Sequence, residues 1–158
     1  MKKVNFKTYA FWILLAEGVG ALSGWLSRGG MKAYESTIIQ PPLSPPSWLF
    51  PIVWAILYAL MGFGAARVYT APKGPDRTKG LNLFILQLVV NFFWSLIFFN
   101  LEAYGFAFLW ILILWVLIIG MIYIFNKTDR LAATLQIPYL IWVTFAAYLN
   151  LMVWLLNR

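Results

Sequence analysis

Polar and charged residues in this chain gather into short clusters that separate five long apolar runs, at about 9–26, 48–69, 81–99, 104–125 and 131–156. Each run is close to the ~20 residues that a helix needs to cross a hydrocarbon core of about 30 Å. In lipid a segment must satisfy its own backbone N–H and C=O groups, so each run is predicted to be helical. The pattern therefore predicts an all-α membrane protein, a five-transmembrane-helix bundle forming a single domain over 1–158. The interval 27–47 is the longest break and contains Pro41, Pro42, Pro45 and Pro46. Proline lacks the N–H donor and fixes φ, so this interval is predicted to be a stiff, non-helical path over one mouth of the bundle. It could act as a lid, or serve only as a stop ahead of the second helix, with Ser47 as N-cap. Segment 71–80 reads as a polar turn region. Pro138, inside the fifth run, is predicted to kink that helix.

Polar positions inside the runs carry the next signal. Gln87, Asn91, Trp94, Ser95 and Phe98 recur at helical spacing and form one stripe of the third helix. Amides within a membrane need partners, so this stripe must face protein or a cavity. The second helix aligns Trp54, Tyr58, Met61 and Ala65, and the fifth aligns Pro138, Trp142, Ala146, Leu149 and Asn150. Trp12, Trp25, Trp48 and Trp154 lie near run ends and suit an interfacial belt, whereas Trp54, Trp94 and Trp142 lie well inside. An inward aromatic box suits a flat, largely apolar ligand, and tight packing without a cavity would use the same stripes. In the first helix, Glu17 would hydrogen-bond a ligand or loop, or contact a neighbouring helix. Gly20 and Gly24 permit close approach, either within the bundle or between copies.

Composition agrees with the pattern. Hydrophobic residues make up 63% and charged residues 11% of the chain, and the mean hydropathy is +0.79, whereas a soluble domain has about a quarter of its residues charged. The net charge of +7 does not indicate nucleic acid, because the basic residues are scattered over the breaks between runs. Lys2, Lys3, Lys7, Arg67, Lys73, Arg77, Lys79, Lys127 and Arg130 fall on one side, against Arg28, Lys32 and Arg158 on the other. The positive-inside rule then places the N-terminus in the cytoplasm and the C-terminus outside. The start, Met1-Lys2-Lys3, resembles a signal peptide, but no small-x-small cleavage site follows, so a retained first helix is expected. The chain has no Cys and no His. That removes disulfides, a thiol nucleophile, a Ser-His-Asp site and the usual zinc, copper or haem-iron ligand sets, so no metal site is expected.

Three blocks resemble the translocator protein family, also called the tryptophan-rich sensory protein or peripheral benzodiazepine receptor family. The first runs from Pro41-Pro42 through Ser47-Trp48, Pro51 and Trp54 to Leu57-Tyr58 and Met61-Gly62. The second is Gln87-Leu-Val-Val-Asn91-Phe-Phe-Trp94-Ser-Leu-Ile-Phe98-Phe99. The third is Pro138-Tyr139-Leu-Ile-Trp142-Val-Thr-Phe145-Ala146-Ala-Tyr-Leu149-Asn150. The resemblance implies a five-helix bundle, commonly a homodimer, whose cavity binds porphyrins such as protoporphyrin IX with no required cofactor. It implies ligand-lining roles for Trp54, Tyr58, Asn91, Trp94, Phe98, Trp142 and Ala146, with Tyr34 on the loop helping to cover the cavity. Similarity to bacterial members, and the absence of a transit sequence, imply the inner (cell) membrane. Phe106 and Trp110 stand where the family often has Trp and then Asp in the fourth helix. The Tyr-containing pattern associated with sterols is absent before Arg158. Three functions are consistent with these features: a porphyrin-binding sensor or transporter, a light-dependent porphyrin-degrading enzyme using Trp54 and Trp142, and a structural partner protein.

Overall fold

A computed structural model of the chain describes residues 5–158; Lys2 and Lys3 of the charged start lie outside the described residues. The structure is all-α, with helices α1 (Phe6–Thr37), α2 (Leu49–Tyr69), α3 (Pro75–Ser95), α4 (Tyr104–Thr128), α5 (Arg130–Thr134) and α6 (Ile137–Asn157). A π-helical turn, Leu96–Asn100, continues α3, and α5 with α6 makes up the fifth span, so five stretches are long and apolar enough to cross a membrane. No strand is present among the described residues.

Helix α1 corrects the expectation for 27–47. Its 32 residues extend about 48 Å at 1.5 Å per residue, well past a hydrocarbon core of about 30 Å. The charged Arg28–Lys32 stretch, which reads as loop, is instead helix that projects beyond the apolar layer. Tertiary contact overrides the local signal there. Gly30 meets the Phe99 carbonyl, and Tyr34 packs on Phe98 and Phe99 of the π turn. Tyr34 is therefore a residue of the last turns of α1, not of the loop. The non-helical path is confined to the residues between Thr37 and Leu49.

Other boundaries shift for local reasons. Helix α3 begins six residues before the apolar run, with Pro75 opening its first turn and Asp76 beside it. A proline loses nothing at a position whose N–H has no partner, and the carboxylate suits the positive helix end. Ser47 is not the cap of α2; Trp48 occupies that position, with no side-chain cap bond. In the fifth span the chain breaks one turn before Pro138: Gln136 N–H donates to Ala133 O at 3.0 Å, and Leu140 N–H resumes the helix on Gln136 O at 3.1 Å. Buried Gln136 spans the break, its Nε2 donating to Leu60 O and Ala132 O, each at 3.2 Å.

Close helix crossings position the interior. A Cβ on Gly62 would collide with the α1 backbone at Trp12 and Ile13, so α1 and α2 touch backbone to backbone. Gly20 is filled by the Tyr58 ring, whereas Gly24 has nothing within 4 Å. Of the two expected small-residue positions, Gly20 thus serves packing within the chain. Trp12 is not at an interface: it is 8% exposed and packs on Phe84 and Tyr69 at ring distances of 5.7 and 5.6 Å. With α1 starting at Phe6, this indole lies almost two turns inside the helix. Trp48 and Trp154 are exposed near helix ends; Trp25 is exposed as well, but with α1 running to Thr37 it lies more than three turns inside the helix.

Candidate ligand-binding site

The residues singled out in the sequence come together as two adjoining groups. The first lies at mid-bundle, where α2, α3 and α6 meet. Here a chain of neutral hydrogen bonds crosses the interior. The Tyr58 hydroxyl donates to Asn91 Oδ1 at 3.2 Å, and Asn91 Nδ2 donates to the Tyr139 hydroxyl oxygen at 2.7 Å. The Tyr139 hydroxyl donates to Gln87 Oε1 at 2.6 Å, and Gln87 Nε2 reaches Met61 Sδ at 3.8 Å. All five side chains are buried. An unpaired amide in such surroundings is costly, and here each amide has its partner within the chain.

Against this chain lean two indoles. Trp54 packs on Tyr58 at 5.5 Å, on Tyr139 at 6.3 Å and edge-to-face on Trp142 at 6.5 Å. Trp142 is flanked by Phe50 at 5.7 Å and Phe145 at 5.8 Å. Both indoles are only partly buried, yet the Trp142 Nε1 atom is shielded and has no hydrogen-bond partner. Ala146, one turn further on α6, is buried on the same side.

The second group lies toward the far ends of α1 and α6. Trp94 stacks on Phe98 at 5.0 Å, and Phe98 meets Tyr104 at 4.9 Å. Tyr34 closes the group, with its ring 5.5 Å from Phe98 and 5.4 Å from Phe99. The wider π turn, closed by Leu101 N–H on Leu96 O at 3.0 Å, changes the helical phase so that both phenylalanines reach α1. Trp94 Nε1 donates to Asn150 Oδ1 at 3.0 Å, and Asn150 Nδ2 donates to Tyr104 O at 2.8 Å. Ser95 is half-buried and joins neither polar set. Glu17 is half-buried and makes no hydrogen bond among the described residues.

Tyr139 is the residue that sequence reasoning passed over. The stripe expected on α6 starts at Pro138, which is exposed; the buried positions are Tyr139, Val143, Ala146, Leu149, Asn150 and Val153. The signal was available in that i, i+4, i+7 spacing, which shifts the buried face by one residue. A separate apolar groove of about 350 Å³ lies outside both groups between α1 and α3, lined by Leu15, Val19, Leu88 and Phe92 among others.

At the opposite end of the bundle Arg67 clamps Asp129, with Nη2 2.9 Å from Oδ2 and Nε 3.0 Å from Oδ1. Asp129 also caps α5 by accepting from Ala132 N–H at 2.9 Å. Partial burial pushes this carboxyl upward, but the Arg67 hydrogen bond, the Ala132 N–H and the Arg67 charge outweigh burial and hold it below its ordinary value.

Five helices long and apolar enough to cross a membrane, around a tryptophan- and amide-lined interior, give the architecture of a multi-pass membrane protein. The chain belongs to the TspO/MBR family, whose model matches residues 12–155. It is 36% identical to the tryptophan-rich protein TspO of Chlorobaculum tepidum over 151 residues, 95% of this chain and 96% of that protein. It is 32% identical to the tryptophan-rich sensory protein of Cereibacter sphaeroides, across 87% of this chain and 84% of that one. The translocator protein of Ovis aries is 30% identical, with 88% and 83% covered.

Proposed function

We propose that this protein is a membrane sensor or transporter that binds a flat, largely apolar tetrapyrrole, represented by protoporphyrin IX, against the Trp54–Trp142 edge of the bundle. The observation that carries this reading is the contrast at that edge: partly exposed indoles meet edge to face, and one keeps a shielded N–H without a partner. A ligand with flat faces covers the exposed ring surface, and an acceptor on it would partner the shielded N–H once the Trp142 indole turns to present it. Covering much of one porphyrin face would contribute several kcal/mol at about 25 cal/mol per Å². With no His or Cys in the chain, binding rests on stacking and burial, so metal-free porphyrin binds at least as well as haem. Titration of the protein in nanodiscs with protoporphyrin IX and with haem tests this. Much tighter haem binding with a strong axial-ligand spectrum, or no saturable porphyrin binding, would sink it.

The paired indoles also favour a second reading, light-dependent porphyrin breakdown. One electron passed from Trp54 or Trp142 to the photoexcited porphyrin would leave an indolyl radical cation and a porphyrin radical anion, and dissolved dioxygen would be the oxidant that opens the ring; product analysis in light and darkness, with and without dioxygen, separates this from binding alone. For orientation, the charge distribution supports a cytoplasmic N-terminus in the inner (cell) membrane. Cysteine at Thr78 should then resist an impermeant thiol reagent in intact cells, and cysteine at Arg158 should react. Homodimer formation is supported by the family resemblance and by the open α1 surface at Gly24; the particle mass in nanodiscs tests it.

A further inference from the structure

The proline-rich segment between α1 and α2 is tied to the other end of the chain. The Asn157 amide brackets Ile39: Ile39 N–H donates to Asn157 Oδ1 at 2.9 Å, and Asn157 Nδ2 donates to Ile39 O at 3.1 Å. A carboxamide carries one acceptor and a donor side by side, so it can pair both main-chain groups of one residue as a neighbouring strand would. Its second N–H donates to Val153 O at 2.9 Å, which fixes the side chain on the last turn of α6. A second tether joins the Tyr148 hydroxyl, donating, to Pro42 O at 3.1 Å. A third joins the Tyr34 hydroxyl to Gln40 Oε1 at 3.3 Å.

Between these tethers the chain is stiff. Prolines at 41, 42, 45 and 46 fix φ along the segment, and Pro41 is buried. Leu43, at φ 69°, sits in the left-handed region that a side chain disfavours. A stiff segment cannot lift at one point alone, so its tethers open together. The tethers on α6 also lead back to the indole site. Tyr148 packs on Phe145 at 6.2 Å, Phe145 on Trp142 at 5.8 Å, and Phe50, just past the segment, on Trp142 at 5.7 Å.

We infer that Asn157, assisted by Tyr148, is the latch of a lid formed by residues 38–48, and that the C-terminal turn of α6 sets how fast ligand enters and leaves the Trp54–Trp142 site. This rests on the binding reading above. The latch bonds lie at the exposed end of the bundle, where water competes for both partners, so the closed lid is easily opened. Removing the latch raises the association and dissociation rates together and leaves the equilibrium affinity nearly unchanged.

Protoporphyrin IX exchange, followed by fluorescence in nanodiscs, measures both rates. Asn157→Leu is expected to speed each by about tenfold, equivalent to ~1.4 kcal/mol, and Tyr148→Phe to have a smaller effect in the same direction. Because the chain has no native Cys, an Ile39→Cys/Asn157→Cys variant can be bridged with a short reducible thiol cross-linker. Exchange should slow when bridged and recover on reduction within one sample, which separates gating from misfolding. Bridged protein that exchanges as fast as reduced protein, or unchanged rates in Asn157→Leu, would overturn the latch. If protoporphyrin IX fails to bind the parent protein, the ligand reading falls, and hydrogen exchange at the amides of Ile39, Gln40, Leu43 and Ser44 decides the latch alone. About tenfold faster exchange in Asn157→Leu supports it, and unchanged protection overturns it.

Discussion

The polar chain from Tyr58 to Gln87 joins α2, α3 and α6, and the indole pair beside it shares two of them, α2 and α6, yet the two groups are built on opposite terms. In the polar chain every amide is paired within the protein, and all members are buried. In the indole pair the rings are partly exposed, and the Trp142 N–H has no partner. A saturated network holds helices in register and offers little to a newcomer, because a ligand would have to break one bond to gain another. An aromatic edge has ring surface to spare, and its shielded donor is not committed to any partner. The difference divides the ligand-lining residues expected from sequence: Asn91 and Tyr58 belong to the scaffold, and Trp54 and Trp142 to the open edge.

The largest effect should come from cutting the polar chain at its centre. Tyr139→Phe keeps the ring but leaves Gln87 Oε1 and Asn91 Nδ2 without their partner. Buried unpaired groups cost on the order of 1–3 kcal/mol in water-soluble proteins and less in membrane bundles, so a loss of about 2 kcal/mol is expected. Reversible unfolding in mixed micelles measures it. Porphyrin affinity should move little; a large affinity loss with unchanged stability would place the polar chain in the site and erase the distinction.

The next effect comes from displacing the first donor. A Cβ on Gly20 runs into the Tyr58 ring, so Gly20→Ala must shift that ring away from Asn91. A loss of about 1–2 kcal/mol is expected from the overpacking. Gly24→Ala, which meets open space, should stay within about 0.5 kcal/mol. Equal effects at the two glycines would show that Tyr58 is free to move, and the polar chain with it.

These residues also show how far the sequence could be read. Five spans were legible because lipid forbids any unpaired backbone, which makes long apolar runs unambiguous. The stripe Gln87–Asn91–Trp94 was legible because amides in a membrane must face inward. What it could not reveal is whether an inward amide is free or already paired. That depends on Tyr139, whose partners lie 48 and 52 residues away. Helix ends were poorly legible for a similar reason. Arg28, Gly29 and Gly30 look like loop locally, and only the packing of Gly30 and Tyr34 against a π turn extends α1 to Thr37. Trp12 is the mirror-image case, since nearness to the start of an apolar run says nothing of the helix preceding that run.

On the open edge, effects should be smaller in affinity and larger in photochemistry. Trp142→Phe keeps most of the stacking area and removes the donor, so protoporphyrin IX affinity should remain within about tenfold, or ~1.4 kcal/mol. Light-driven loss of porphyrin should be suppressed. Trp12→Phe, in the core against Phe84, should change neither. If illuminated porphyrin disappears as fast with Trp142→Phe and Trp54→Phe as with the parent, the indole photochemistry is wrong and binding alone remains.

The smallest effect is expected at Arg67 and Asp129, which lie outside both regions and provide the charged control. Their side chains are 32% and 20% exposed, so solvent screens the pair, and its contribution should be under about 1 kcal/mol. A carboxyl held below its ordinary value in the fold contributes stability that is fully present above its unfolded pKa, near 3.9. That contribution is lost as pH falls through the lower, folded value. Asp129→Asn should therefore be slightly less stable than the parent at pH 7, and the gap should close at an acid pH below the folded value. The deficit of Tyr139→Phe should behave differently, because the groups it leaves unpaired are neutral amides that carry no titrating proton. Thermal unfolding of both variants at the two pH values checks this. If the Tyr139→Phe deficit also vanished in acid, the polar chain would be coupled to a titrating group, and its description as a neutral scaffold distinct from the open edge would fail.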